Sequence, residues 1–152
     1  MRQRTSVLLI HQNSHTLRAL KHKLEGQRAE VREAGSCREA RRILASSSPP
    51  TLLFTDKTLP DGTWAHVVTM ASEALSPVNV IVVASVVDTR FYMDAIEGGA
   101  FDFIAPPFNE ADISHVLRCA ADNVQARRAA LASGEGGLFP PLSRTDSQTA
   151  PV

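Results

Sequence analysis

Apolar positions run along this chain in short, bounded blocks that alternate with stretches of helical spacing. Residues 6–10 (SVLLI) form an almost unbroken apolar run, the pattern of a strand buried on both faces. Ser14 follows as an N-cap, and Leu17, Leu20 and Leu24 recur at helical spacing until Gly26 stops the helix. Residues 29–34 predict a weaker, more polar strand suited to a sheet edge. Ser36 and Glu39 stand at capping-box spacing, and Ala40, Ile43 and Leu44 supply the apolar stripe of a second helix. A Ser/Pro loop over residues 46–50 ends this first stretch.

The alternation continues beyond it. Residues 51–55 (TLLFT) predict a third strand, and 63–75 a helix with Val67, Val68 and Ala71 turned inward. Residues 78–84 form the most β-rich segment, and 89–97 predict a helix that ends at Gly98 and Gly99. A short fifth strand is expected over 101–104. A long helix then runs from an Asn109 cap to about Leu131, with Ile113, Val116, Leu117, Ala120 and Val124 at core spacing. From Ser133 the periodicity stops among Gly, Ser, Pro and Thr. Residues 1–131 are therefore expected to form one domain, and 132–152 a disordered C-terminal tail.

Strands alternating with helices predict an α/β fold, a doubly wound five-stranded parallel sheet with helices on both faces. Sites in such sheets lie at the carboxyl ends of the strands. That rule singles out His11-Gln12-Asn13, Asp56, Ala84-Ser85 and Ala105-Pro106-Pro107.

Composition narrows the function classes. With 152 residues, 43% apolar and 21% charged, the chain is ordinary globular material for one domain. No apolar run approaches the roughly 20 residues of a membrane span, and no secretory leader precedes the first strand, so a cytoplasmic protein without membrane contact is expected. Cys37 and Cys119 are too few for a disulfide framework or a zinc site. The 16 Lys/Arg balance the 16 Asp/Glu, but residues 1–46 hold ten basic and four acidic side chains while the rest hold six and twelve. Solvated helix faces of differing charge explain that division more simply than an oriented docking surface, and nothing forms a nucleic-acid-binding stripe.

Two motifs sharpen the reading. Asp56 ends the third strand and is followed by Leu59-Pro60-Asp61-Gly62, and residues 98–108 read GGAFDFIAPPF. In this order and spacing, residues 5–125 or so resemble the receiver domain of bacterial two-component response regulators, in an atypical form. The resemblance implies a flavodoxin-like sheet of strand order 2-1-3-4-5 and a signalling role rather than an enzymatic one. Receivers take a phosphoryl group from a histidine kinase onto an Asp, with Mg²⁺ bound. Carried over by position, the acidic metal-binding pair falls on His11 and Gln12, and the phospho-acceptor on Asp56. The hydroxyl residue falls on Ala84, with Ser85 adjacent, the lysine on Pro106, and the switch aromatic on Phe103. The acceptor alone is retained.

These departures carry chemical expectations. Mg²⁺ prefers several oxygen ligands, and this pocket supplies one carboxylate and the amides of Gln12 and Asn13, so Mg²⁺ binding is expected to be weak or absent, with no other cofactor. Pro106 offers neither charge nor an N–H donor, Ala84 has no hydroxyl, and Ser85 should face the opposite way. A hydrogen-bonded pair of His11 and Asp56 would neutralise the pocket without a metal; the alternative is a His11 that turns away as a loop residue. Phe103 is expected to be core or a fixed surface aromatic. Trp64 is expected beside Asp56, packed on its helix or offered to a partner, and Pro106-Pro107 keeps the option of a cis bond at the turn.

The leading functional expectation is a stand-alone module that works by phosphorylation-independent protein–protein interaction, with a histidine kinase or another signalling protein as partner. The alternative is a receiver phosphorylated on Asp56. A cofactor-binding enzyme on the same architecture is a third class. It has little support, because Ser14-His15-Thr16 leads straight into a helix and no glycine-rich loop is present. Arg127, Arg128 and Leu131 are expected either to extend the last helix towards a homodimer or to fray into solvent. Residues 138–142 (LFPPL) are a short docking peptide or a chance apolar run.

Overall fold

The structure is a computed structural model and describes residues 4–134. Strand β1 (Thr5–Ile10) lies between β2 (Ala29–Ala34) and β3 (Leu52–Thr55). Two very short strands, β4 (Thr58–Leu59) and β5 (Gly62–Thr63), form a separate antiparallel hairpin. Strands β6 (Asn79–Val83) and β7 (Asp102–Ile104) complete a five-stranded sheet of order β2-β1-β3-β6-β7, parallel throughout. This is the flavodoxin-like order 2-1-3-4-5 expected from the sequence, with β6 and β7 as its fourth and fifth strands. The hairpin was not anticipated, because two-residue strands are too short to display a period of two.

Helices cover both faces. On one side, Val7 and Leu9 of β1 join Leu17, Leu20 and Leu24 of α1 (His15–Glu25) and Ile113, Val116 and Ala120 of α5 (Glu110–Ala132). On the other, Leu8 and Ile10 pack with Ala40 of α2 (Cys37–Leu44), Val67 and Met70 of α3 (Trp64–Glu73), and Phe91 and Ala95 of α4 (Thr89–Glu97). Alternate residues of one strand thus feed two cores, which is why its sequence is apolar at nearly every position. Each fully buried aliphatic side chain contributes about 1.5–3 kcal/mol relative to exposure. Val78, Phe101 and Thr51, expected within strands, instead flank them.

Side-chain caps set the helix starts. Ser14 accepts from the backbone N–H of Leu17 at 3.2 Å, Ser36 from Glu39 at 3.1 Å, and Asn109 from Asp112 at 2.8 Å. The second half of the expected capping box is displaced: Glu39 accepts from the N–H of Gly35 at 2.9 Å, not from that of Ser36. Helix α3 stops at Glu73, short of the expected 75, because Ala74 turns extended (ψ 144°), and Leu75 then stands fully in solvent.

Helix α5 extends through both arginines to Ala132, as one of the two expectations had it. Arg127 and Arg128 do not fray into solvent; both fold back onto the amino-terminal end of the sheet. Arg127 Nη1 donates to Asn79 Oδ1 at 2.8 Å and to Asn123 Oδ1 at 3.1 Å. Arg128 donates to the carbonyls of Pro77 (3.0 Å) and Pro50 (3.1 Å). Burial pushes both guanidinium pKa values down from the usual arginine range. The tail segment 138–142 and most of the expected 132–152 region lie outside the described residues.

Candidate functional site

Asp56 emerges from β3 at the carboxyl end of the sheet, where the fold gathers chain ends into a crevice. Its backbone N–H donates to the carbonyl of Ile10 at 3.0 Å, continuing the β1–β3 ladder by one residue. The side chain is half-buried, and its Oδ1 accepts from the N–H of Lys57 at 2.8 Å. The Thr55 hydroxyl donates to the Asp56 carbonyl at 2.9 Å. The carboxylate is therefore held from its own loop and still reaches solvent.

His11 does not pair with Asp56. Its Nδ1 accepts from the backbone N–H of Ser14 at 3.0 Å, and its Nε2 lies 2.9 Å from Glu33 Oε2. An acceptor Nδ1 places the ring proton on Nε2, so a neutral imidazole satisfies both contacts, the second as donor to the carboxylate. Glu33 is available because β2 runs beside β1 and the N–H of His11 donates to Ala34 O. Glu33 also accepts from Lys21 Nζ at 3.0 Å. Hydrogen bonds from His11 and then Lys21 hold its pKa below the usual carboxylate value. Reading β2 against β1 in parallel register would have exposed Glu33 as the partner. The expectation from strand-end positions alone overlooked it.

The other loop residues are placed separately. Gln12 and Asn13 are exposed; Asn13 adopts a left-handed backbone (φ 56°), which asparagine tolerates, and accepts from Arg18 Nη2 at 2.9 Å. Ala84 is buried and its N–H donates to the carbonyl of Ile104 at 2.9 Å, while Ser85 is exposed. Pro106 is half-buried and the Pro106–Pro107 bond is cis. Asp61, from the motif after Asp56, accepts from the N–H groups of Cys37 (2.7 Å) and Arg38 (3.0 Å), and these bonds lower its pKa. The Asp56 loop is thus tied to the start of α2.

An aromatic cluster flanks the pocket. Half-buried Phe103 meets Phe91 edge-on at 5.1 Å between ring centroids and Tyr92 at 5.6 Å. Trp64 is half-buried and tilts against Phe91 at 6.1 Å, so it is packed on its own core. Gly98 is needed there, since a Cβ would lie 2.9 Å from the Trp64 ring and 3.0 Å from the Asp94 carbonyl. Lys57 Nζ sits 4.9 Å from the Phe91 centroid. No motif position calls for Lys57, which is why the sequence does not single it out.

The family model described as response regulator receiver domain matches residues 7–118. Solved structures agree in fold. The signal receiver domain of a putative LuxO repressor protein from Vibrio parahaemolyticus is 22% identical, with a TM-score of 0.68, covering 81% of this chain and 94% of that one. A receiver domain protein from Clostridium thermocellum is 23% identical, with a TM-score of 0.69 and coverage of 80% and 98%. One from Methanospirillum hungatei is 18% identical, with a TM-score of 0.65 and coverage of 82% and 98%. No curated protein matches the sequence. The parallel sheet, the aspartate that follows β3 and the family match over residues 7–118 together place this chain in the response regulator receiver domain family of two-component signalling.

Proposed function

We propose that this receiver domain signals through protein–protein recognition that does not require phosphorylation of Asp56. The observation that carries the proposal is the commitment of His11: both ring nitrogens are engaged, by Ser14 and Glu33, at the position where the family pattern calls for a metal-binding acid. The donor set around Asp56 does not fit a hard divalent cation. One carboxylate and two exposed amides remain, and among the described residues no three His, Cys, Asp or Glu side chains group to hold a metal. Phosphoryl transfer needs positive charge at the equatorial oxygens, and Pro106 supplies none.

Recognition has a surface to use. Val86, Val87, Tyr92 and Met93 are exposed on the loop before α4 and on α4 itself, next to a cleft of about 320 Å³ floored by Phe103 and Ala105. Asp88 and Asp94 are exposed on the same segment. A signalling protein with an apolar contact and a basic rim suits this face. The placement of Asp56, half-buried with its carboxylate reaching solvent, favours the second reading, a working acceptor.

Exposure to acetyl phosphate with millimolar Mg²⁺, followed by intact-mass measurement, separates the two. The native chain is expected to gain no more phosphoryl label than Asp56→Asn. Label that appears in the native chain and is lost in the variant favours the acceptor reading.

A further inference from the structure

At the amino-terminal end of the sheet, a groove of about 480 Å³ opens between the end of α3, the Gly98-Gly99 turn and the last turns of α5. Val68, Ala71, Leu75, Ile96 and Leu131 give it apolar walls, and Arg127 lies at its edge. Two of those walls are unfinished, since Leu75 is 101% and Leu131 52% exposed. Neither belongs to the strand-end pocket or to the α4 face.

We propose that residues 138–142 of this same chain, LFPPL, dock in this groove. The chain leaves the described fold beside the groove. Helix α5 ends at Ala132, one residue beyond the groove-lining Leu131, and Gly134 turns with φ 81°. Four further residues reach Leu138 and span at most about 14 Å at roughly 3.3–3.6 Å each, so the segment is delivered next to the groove.

Among residues 135–152, the block 138–142 is the longest apolar run, set between polar and glycine-rich stretches. Pro140 and Pro141 favour an extended conformation before binding and carry no N–H groups to bury unpaired. The Arg127 guanidinium is already fixed by Asn79 and Asn123, so its face is pre-set to receive the Phe139 ring. Tethering keeps the local concentration of the segment high without requiring a tight intrinsic fit.

This inference is independent of how Asp56 behaves. It is tested by comparing amide NMR spectra of the full chain with those of L138D/F139D, whose changes fall outside the described residues. Beyond the substituted residues and their chain neighbours, the expected result is a set of shifts at Leu75, Ile96, Gly98, Gly99 and Leu131, unchanged on tenfold dilution. In the reciprocal variant Leu75→Asp, the amides of Leu138, Phe139 and Leu142 are expected to move. Spectra that superimpose at those groove residues would overturn the proposal. So would differences that disappear on dilution, because the groove would then be filled by the tail of a second copy.

Discussion

The two ends of the sheet resolve the same problem with opposite consequences. At the amino-terminal end, buried Asn79 donates to Ala120 O and Asn123 Oδ1 and accepts from Arg127, fastening α5 to the start of β6. At the carboxyl end, buried His11 bonds Ser14 and Glu33, fastening the loop after β1 to the edge strand. Both are polar groups whose bonding capacity is spent inside the fold, and among the described residues no buried side-chain nitrogen or oxygen lacks a partner. One brace occupies a purely structural position. The other occupies the place where receivers are expected to carry metal-binding acids. A polar residue at the strand ends is therefore not evidence of chemistry until its partners are known.

The comparison is open to attack by removing each brace in turn. The largest effect is expected for Asn79→Ala, which leaves half-buried Arg127 short of an acceptor and frees the Ala120 carbonyl. A loss of about 2–3 kcal/mol should appear as a lower urea midpoint. His11→Ala is expected to cost less, about 1 kcal/mol, because Glu33 keeps Lys21 and both lie at the surface. Equal losses would mean that the carboxyl-end brace carries as much of the fold as the other.

The sequence announces some of these features and conceals others, for physical reasons. Strands β1, β3 and β6 were legible because burial on both faces demands continuous apolar runs, and α1 and α5 because their leucines and valines keep a helical period. The caps Ser14, Ser36 and Asn109 were legible because short polar side chains at helix starts have a local role. His11–Glu33 was hidden because it depends on strand register across 22 positions. The partners of Arg127 and Arg128, which are Asn79, Pro77 and Pro50, were not legible because they come from loops and strand ends far away in the chain. The positions of Asp56, Ala84 and Pro106 followed from the motif pattern, whereas Lys57 against Phe91 did not.

A smaller and pH-dependent effect sharpens the carboxyl-end brace. The pKa of Glu33 lies below its ordinary value of 4.5, so its pairing stabilises the fold fully above that value and is lost as pH falls through the lowered one. Its side chain is 39% exposed, so the contribution is expected to stay under about 1 kcal/mol. The stability gap between the native chain and Glu33→Gln should be constant above the ordinary carboxyl value of 4.5 and close as the pH falls through the lowered one. A gap that is flat down to acid unfolding would contradict the pairing.

The central claim concerns Asp56, and amide NMR with Mg²⁺ followed by beryllofluoride, a mimic of an aspartyl phosphate, tests it most directly. Asp56→Asn is the control. The account predicts a spectrum that stays unchanged through millimolar Mg²⁺ and beryllofluoride. Saturable shifts at Asp56, Lys57 and Ala84 that vanish in Asp56→Asn would contradict it and establish a working acceptor pocket.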